Sequence, residues 1–290
     1  MSDLVIVEKN LLLNKEEAGG LEKNSFGKIR IASHSESNLA IKLLVMTLAV
    51  ITVVAFITFD YKEIRFGEAI SATFTNIKTV FLEPVLKRDT VGGILYQLLV
   101  TFCLGTLSTI FGAILALICS LFCAANISSP TVARFIKSVI AVIRAVPTVL
   151  WVLIFAVSAG LGSVAAVIGL TFHSFAYLTK VYAESIEEIN SGTIEALRAS
   201  GANFWQIVCQ AVIPATISYI VAWTFMRFEI NFANAVAMGA AAGSGGIGYH
   251  LYMAGNFYFD LHEMGFLTYV VVIAVVLLET FSTKIKEWVK

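Results

Sequence analysis

A polar stripe inside one apolar segment is the first set of residues whose types and spacing could do chemistry. Thr224, Arg227, Asn231 and Asn234 recur at helical spacing and therefore share one face of a helix. Arginine and asparagine are costly inside a bilayer unless they face a cavity or a partner. We prefer the interpretation that Arg227, Asn231 and Asn234 line a translocation pathway. The alternative is a network that packs helices together, including a pair between Arg227 and a neighbouring carboxylate.

A glycine-rich segment follows that stripe. Gly243, Gly245 and Gly248 have the spacing G-x-G-x-x-G, which in a dinucleotide site follows a β-strand within a βαβ unit. An apolar segment precedes these glycines and no βαβ pattern follows, so the dinucleotide interpretation is set aside. Two interpretations stay open. One is a flexible or re-entrant turn; the other is a constriction of the pathway by Gly243, Gly245, Gly246 and Gly248, whose bare amides could also meet an anion.

Other reactive side chains do not form a catalytic pattern. His250, Asp260, His262 and Glu263 are close in sequence, but they lack the tight spacing of metal ligands. His173 stands alone in an apolar run, where we expect a packing role. The chain has no G-x-x-x-x-G-K-[ST] pattern for binding ATP phosphates and no Ser–His–Asp arrangement. We therefore predict that the protein is not an enzyme and binds no cofactor or metal of its own.

The composition indicates which elements must position these residues. Of 290 residues, 58% are hydrophobic and 14% are charged, against about 25% charged in soluble domains. A soluble domain could not cover so much apolar surface with so few polar residues. Basic and acidic residues number 20 each, so the balanced charge favours no nucleic-acid partner. The sequence predicts a membrane protein that crosses the bilayer several times.

Six apolar stretches are long enough to cross a bilayer core of about 30 Å as helices. They are 40–59, 94–121, 135–158, 161–180, 213–235 and 264–283. Because barrel strands would alternate polar and apolar residues, uniformly apolar runs predict an all-α fold. Pro147 should kink the third span. Residues 1–39 read as a polar tail, and 60–92 as an amphipathic surface segment that is broken at Pro84.

The distribution of lysine and arginine predicts the orientation. If the amino terminus is cytoplasmic, most of these residues fall on the inner side, as the positive-inside rule requires. Both termini are then cytoplasmic, and 60–92 is extracytoplasmic.

The segment 181–214 is too polar to span and should lie on the inner side as a helix–turn–helix. The triplet at 190–192 (Asn-Ser-Gly) predicts a turn, which places Glu195 in the first turn of a short helix. Gly201 should end that helix, and Asn203 with Gln206 resembles a capping box for the next.

The second helix of that segment has its own apolar face. Phe204, Ile207, Val208 and Ala211 lie at helical spacing, and Pro214 suits the start of the fifth span. Two interpretations are open for the whole segment. It is either an amphipathic loop on the bilayer surface or a rigid helix pair that docks onto a cytoplasmic partner.

The same residues carry a resemblance. Glu195-Ala196-Leu197, Gly201 six residues after Glu195, and Ile213-Pro214 resemble the EAA loop of ABC-importer permeases. The run AESIEEINSGTIEALRASGA is similar to the phosphonate branch of that family. Further similarities in order are RAVP from Arg144, RFEIN from Arg227 and GSGGIG from Gly243, while Ala233 departs from the arginine usual in that branch. The resemblance covers about residues 90–285.

The resemblance implies a MetI-like permease architecture over 93–285, with a coupling loop at 181–213 that fits a groove of an ATPase. The coupling residues would be Glu195, Ala196, Leu197, Arg198, Gly201 and Ala202. It also implies a homodimer, two cytoplasmic ATPase subunits that use ATP, and an extracytoplasmic substrate-binding protein. The location would be a bacterial cell membrane.

The implied activity is import by alternating access of a phosphonate or a related phosphorus oxyanion, such as phosphite, a phosphate ester or phosphate. The alternative is a secondary transporter that moves a small anion with an ion gradient. That alternative would favour paired carboxylates within the spans, and it leaves the helix–turn–helix segment unexplained.

Overall fold

A computed structural model describes residues 36–59 and 65–288, whose regular secondary structure is helical with no strand among them. The chain divides into two compact units, residues 1–69 and 70–290. The first unit contains α1 (Glu36–Thr58), whose apolar part Leu39–Thr58 matches the first predicted span. The expectations for the tail at 1–35 and for 60–64 lie outside the described residues.

The other helices follow in chain order. They are α2 (Phe66–Leu82), α3 (Val91–Cys123), α4 (Pro130–Ala145), α5 (Thr148–Ala159), α6 (Ser163–Glu187), α7 (Ser191–Ala199), α8 (Phe204–Ile207), α9 (Ile213–Ala242), α10 (Gly246–Tyr252) and α11 (Leu261–Trp288). Within the described residues, five helical segments have the length and apolar composition of spans, namely α1, α3, α6, α8 to α9, and α11. The helix α2 ends just before Pro84, as the sequence predicts.

The predicted third span is two helices. The axes of α4 and α5 are bent by 89° at Val146–Pro147, so the predicted kink at Pro147 is confirmed, and it is a full break. Proline lacks an N–H and drives the residue before it out of the helical region, and Val146 is extended with φ −83° and ψ 124°. The indole N–H of Trp151 donates to the carbonyl of Ile143 at 3.0 Å and satisfies one backbone group at the break.

The α4–α5 pair crosses from one end of the bundle to the other. Helices α3 and α6 run parallel, because Leu104 and Leu170 belong to one buried cluster and, nearer the carboxyl ends of both helices, Leu121 and Ala183 belong to another. The end of the bundle that contains α7 and α8 is called the hairpin end below. Since α3 and α6 both finish there, the chain between them must return to the opposite end, and α4–α5 makes that return. The pair is one broken span, which gives six candidate spans, as predicted.

Close contacts hold α5, the helix that follows the break at Pro147, against α6. A Cβ atom added to Gly169 would lie 2.6 Å from the backbone of Val152, so α5 can approach α6 this closely only at a glycine. Leu170 and Ala166 of α6 are fully buried in the same cluster. The position of α5 therefore depends on small residues of α6.

The fifth span begins earlier than predicted. A π-turn at Val208–Val212 joins α8 to α9, and Ile213 keeps helical dihedrals of −59° and −50°. The helical segment is therefore continuous over 39 residues, Phe204–Ala242. Pro214 lies in the first turn of α9, as expected, where its missing N–H is tolerated. The wider π-turn just before it continues the helical segment back to α8.

Candidate functional site

The hairpin formed by α7 and α8 begins two residues earlier than its sequence suggested. The side chain of Asn190 caps α7 by accepting from the N–H of Gly192 at 2.8 Å, so the helix starts at Ser191. Glu195 consequently lies in the second turn, and the prediction that it occupies the first turn is wrong. Asparagine is one of the strongest helix caps, and its position shifts the start of the helix.

The turn between α7 and α8 is fixed by local hydrogen bonds. Gly201 has φ +84°, and the amides of Gly201 and Ala202 donate to the carbonyls of Arg198 and Leu197, each at 3.0 Å. This is the Schellman pattern that ends a helix at glycine. Asn203 and Gln206 then form the predicted capping box, with bonds of 2.7 and 3.0 Å.

One side of the hairpin packs into the bundle. Ile194, Ile207 and Val208 are buried with residues from the ends of α3 and α6. Leu197 and Ala202 are half-buried against the same cluster. These contacts hold the hairpin against the rest of the second unit.

The six predicted coupling residues therefore divide into two groups. Glu195, Ala196 and Gly201 are exposed, whereas Leu197 and Ala202 pack inward. Arg198 is exposed but anchored, since its Nη2 atom donates to the carbonyl of Asn126 at 3.0 Å. Their role in coupling stays a prediction.

Trp205 is a surface residue that the sequence reasoning missed. Its side chain is 60% exposed, and its ring lies edge-on to Phe204 with centroids 5.3 Å apart. Phe204 in turn stacks on Phe122 at 5.8 Å. The available signal was a tryptophan one residue away from the apolar face of α8, where a polar residue would be expected.

In the interior, Asn231 belongs to a packing network. It is fully buried, and its Nδ2 atom donates to the hydroxyls of Thr109 and Ser174, each at 2.8 Å. These bonds join α9 to α3 and α6. For Asn231 the structure therefore shows the helix-packing arrangement, which was the less favoured of the two interpretations.

Arg227 lies one turn away and is 2% exposed. Its Nε atom donates to Ser174 Oγ at 3.0 Å, and its Nη2 atom is 2.8 Å from His173 Nδ1. Because a guanidinium can only donate, Nδ1 accepts, and the neutral imidazole carries its proton on Nε2. Among the described residues Arg227 forms no ion pair, so its partner is His173 rather than the expected carboxylate.

The remaining members of the stripe differ from these two. Thr224 Oγ1 is 2.5 Å from the hydroxyl of Tyr182, and Asn234 is half-buried. A pathway role for Arg227, Asn231 and Asn234 stays a prediction.

The glycine segment turns the chain from α9 into α10, with Gly243 exposed and Gly246 and Gly248 buried. Gly243, Gly245 and Gly246 have φ values of +60°, +77° and +71°, and the N–H of Ile247 donates to Thr101 Oγ1 at 3.0 Å. Thr101 lies ten residues into α3, about 15 Å along its axis. The end of the glycine segment therefore lies at that depth, where α9 arrives from the hairpin end. Both the turn interpretation and the constriction role of Gly243, Gly245, Gly246 and Gly248 stay predictions.

Charged residues join three segments at the opposite end. Asp260 pairs with Lys87 at 3.1 Å and with Arg88 at 3.3 Å, and Arg88 also pairs with Glu263 at 2.9 Å. His250 lies 2.8 Å from Asp89. His250, Asp260 and Glu263, three of the four residues weighed as metal ligands, thus contact the loop between α2 and α3. The fourth, His262, contacts the same loop at the carbonyl of Glu83.

The same contacts shift two pKa values. The hydrogen bond to Glu263 raises the pKa of Arg88. Burial alone would raise the pKa of Asp260, but the hydrogen bonds from Lys87 and from the backbone N–H of Glu263 outweigh it and lower that pKa. Both shifts favour the charged forms and stabilise this end of the bundle.

Comparison with known proteins adds a family match. Residues 109–289 match the model for "binding-protein-dependent transport system inner membrane component". The chain is 31% identical over 153 residues to the phosphate-import permease PhnE of Mycolicibacterium smegmatis, covering 52% of this chain and 29% of that protein. It is 28% identical over 191 residues to the phosphite transport permease PtxC of Stutzerimonas stutzeri, covering 66% and 69%. The first match thus spans under a third of the relative's length.

A solved structure shares the fold. The inward-facing MetNI methionine ABC transporter contains a chain that aligns with a TM-score of 0.64 at 22% identity, covering 71% of this chain and all of that one. This similarity supports the MetI-like architecture expected from the sequence.

Proposed function

Because the chain belongs to the family of binding-protein-dependent transport system inner membrane components, we propose that it is the permease of an ATP-driven importer whose hairpin is driven by a separate ATPase. The proposal rests on one observation: no loop separates α8 of the hairpin from the fifth span. The exposed turn at Gly201 precedes a helical segment that runs unbroken from Phe204 to Ala242.

Because of this continuity, a movement of the hairpin would also move α9 inside the bundle. A force applied to α7 and α8 reaches Arg227 and Asn231 without an intervening flexible loop, and these residues tie α9 to α3 and α6. Alternating access requires such an element to bias two arrangements of the spans. Closure of the ATPase on ATP would supply the bias, since the chain has no phosphate-binding loop of its own.

The assembly follows from the same proposal. Two copies of this chain would enclose one pathway, with an ATPase on each hairpin and an external binding protein at the opposite end. The hairpin end and both termini would be cytoplasmic, in agreement with the distribution of lysine and arginine. The membrane would be a bacterial cell membrane.

A phosphorus oxyanion is the substrate class that the relatives support. One of them is named for phosphate import and another for phosphite transport. The chain offers cationic side chains to such a substrate, and Arg227, which is 2% exposed, lies inside the bundle.

The test replaces Gly201 by aspartate in cells that carry the full transport system. Open space surrounds Gly201, so the protein should insert normally, while the positive φ disfavours aspartate by about 1–2 kcal/mol and the new carboxylate disturbs docking. We expect uptake of radiolabelled methylphosphonate, phosphite and phosphate to be lost, and less ATPase to co-purify.

Gly92→Asp is the matched control, since Gly92 also lies in open space but begins α3 at the opposite end. Full uptake with Gly201→Asp would contradict the proposal. So would uptake by the purified permease alone, driven by an ion gradient in liposomes, which is the behaviour of a secondary transporter.

A further inference from the structure

A cationic pocket near the hairpin end is not used by the docking hairpin. It encloses about 210 Å³ between α4 and α6. Its charged lining residues are Lys137, Arg144, Lys180, Glu184 and Glu187. Three cations face two anions, so the pocket carries one net positive charge.

That excess charge belongs to Arg144. Lys137 pairs with Glu187 at 2.7 Å, and Lys180 pairs with Glu184 at 3.1 Å. Arg144 takes part in no ion pair among the described residues, and it ends α4 with its side chain only half-buried. A guanidinium in this state has donors available for an anion, and its planar fork fits two oxygens at once.

Tyr177 links the pocket to the interior arginine. The guanidinium carbon of Arg144 lies 6.0 Å from the centroid of the Tyr177 ring, and that of Arg227 lies 5.2 Å from it. His173, Tyr177, Lys180 and Glu184 recur at helical spacing and share one face of α6. This face therefore connects Arg227 to the pocket, with the guanidinium groups of Arg227 and Arg144 both lying near the ring of Tyr177.

We propose that this pocket binds a tetrahedral phosphorus oxyanion, with Arg144 as its main ligand and Lys137 and Lys180 as supporting charges. The site is inferred from its own residues, and its use in transport rests on the proposed function. The anion has two possible sources, a transported oxyanion or the phosphate of an anionic lipid. Cationic pockets between membrane helices are known to take lipid head groups.

The experiment uses the purified full-length chain in phosphatidylcholine nanodiscs. Equilibrium binding of radiolabelled inorganic phosphate is measured first, and retention of phosphatidylglycerol from mixed-lipid nanodiscs is then measured by native mass spectrometry. Arg144→Gln should weaken binding of the anion by about tenfold or more. Glu184→Gln should strengthen it, because it removes a negative charge and releases Lys180.

Arg134→Gln is the matched control. Arg134 lies on the same helix and is exposed, and it bonds to the carbonyl of Pro130 outside the pocket. It should leave binding unchanged. The opposite effects expected for Arg144→Gln and Glu184→Gln separate a charge effect from misfolding, and thermal unfolding checks each variant.

The outcomes separate the sources. Phosphate bound in phosphatidylcholine and lost with Arg144→Gln supports the site with a free anion as ligand. Selective retention of phosphatidylglycerol, lost with the same variant, supports it with a lipid as ligand. Binding of neither probe, or equal losses in Arg144→Gln and Arg134→Gln, overturns it. No ATPase is present in this binding experiment, so its outcome does not test the proposed function. That function is tested separately by the uptake assay with Gly201→Asp.

Discussion

The helical segment Phe204–Ala242 is preceded by the turn at Gly201 and followed by the glycine segment 243–248. These two segments are held by different kinds of contact. At the hairpin end, one left-handed glycine lies in open space, and neighbouring backbone and side-chain groups satisfy the turn. At the other end, three left-handed glycines occur close together. Gly243 and Gly245 also face open space, whereas Gly246 lies against Thr101 of α3, to which the amide of Ile247 bonds. The buried Ser244 Oγ beside them has no hydrogen-bond partner.

This difference shows which turn depends on the rest of the molecule. The hairpin is determined by caps within a few residues, and it presents an exposed surface that includes Trp205. The glycine segment is held by tertiary contacts at its end, where the amide of Ile247 bonds to Thr101 and Gly248 lies against the backbone of Val236. A local change should therefore be tolerated at Gly201 and disruptive at Gly248.

The largest effect is expected for Gly248→Ala. A Cβ atom at Gly248 would overlap the backbone carbonyl of Val236, which cannot move without shifting α9, so we expect a loss of about 3 kcal/mol in the free energy of unfolding. Gly201→Ala meets no neighbour and should cost about 1–2 kcal/mol through its positive φ. Thermal unfolding in detergent measures both, and equal losses would break the comparison.

Asn231→Ala should come next. It removes the two bonds that join α9 to Thr109 and Ser174, whose hydroxyls keep only their bonds within α3 and α6 and the one from Arg227. We expect a loss of about 2 kcal/mol of unfolding free energy. Asn234→Ala is the same change one turn along α9, at a half-buried residue, and should fall within about 0.5 kcal/mol of the parent. If the two variants unfold alike, Asn231 does not hold the spans together.

Trp205→Ala tests the hairpin surface itself. Because the side chain is 60% exposed, the unfolding free energy should change by less than about 1 kcal/mol. If the tryptophan anchors the ATPase, the affinity for that subunit should fall by about 30-fold, as for interface hot spots. Titration of the solubilised permease with the ATPase measures this, and unchanged affinity would remove Trp205 from the interface.

The smallest effect concerns the charged cluster at the opposite end. The folded pKa of Asp260 is lowered, so its stabilisation is present above the unfolded value of about 3.9 and is lost as the pH falls through the folded pKa. The partly exposed pairs should contribute about 1 kcal/mol or less. Thermal unfolding from pH 7 to pH 3 should show a smaller decline in Asp260→Asn than in the parent chain.

Much of this molecule could be predicted from its sequence because the signals are local. Apolar runs of about 20 residues gave the spans, Pro147 gave the break, and Asn203 with Gln206 gave the cap of α8. The error at Glu195 concerned a helix start, because the Asn190 cap moved that start by two residues. The π-turn at Val208–Val212 also extended the helical segment of the fifth span back to Phe204.

The candidate site was less predictable because its contacts join distant segments. The helical period placed Arg227 and Asn231 on one face, but it could not say what that face meets. Thr109 lies 122 residues before Asn231, and His173 lies 54 residues before Arg227. Only the packed bundle identifies these as partners.

The sequence by itself determined that the chain is an all-helical membrane protein with a capped polar hairpin, because hydrophobic periodicity and capping act within one or two helical turns. The tertiary structure decided which side of each helix is buried. It also set the depth of the glycine turn and gathered Arg144, Lys137 and Lys180 around one pocket. Those features depend on how separate helices pack, and no short stretch of sequence contains that information.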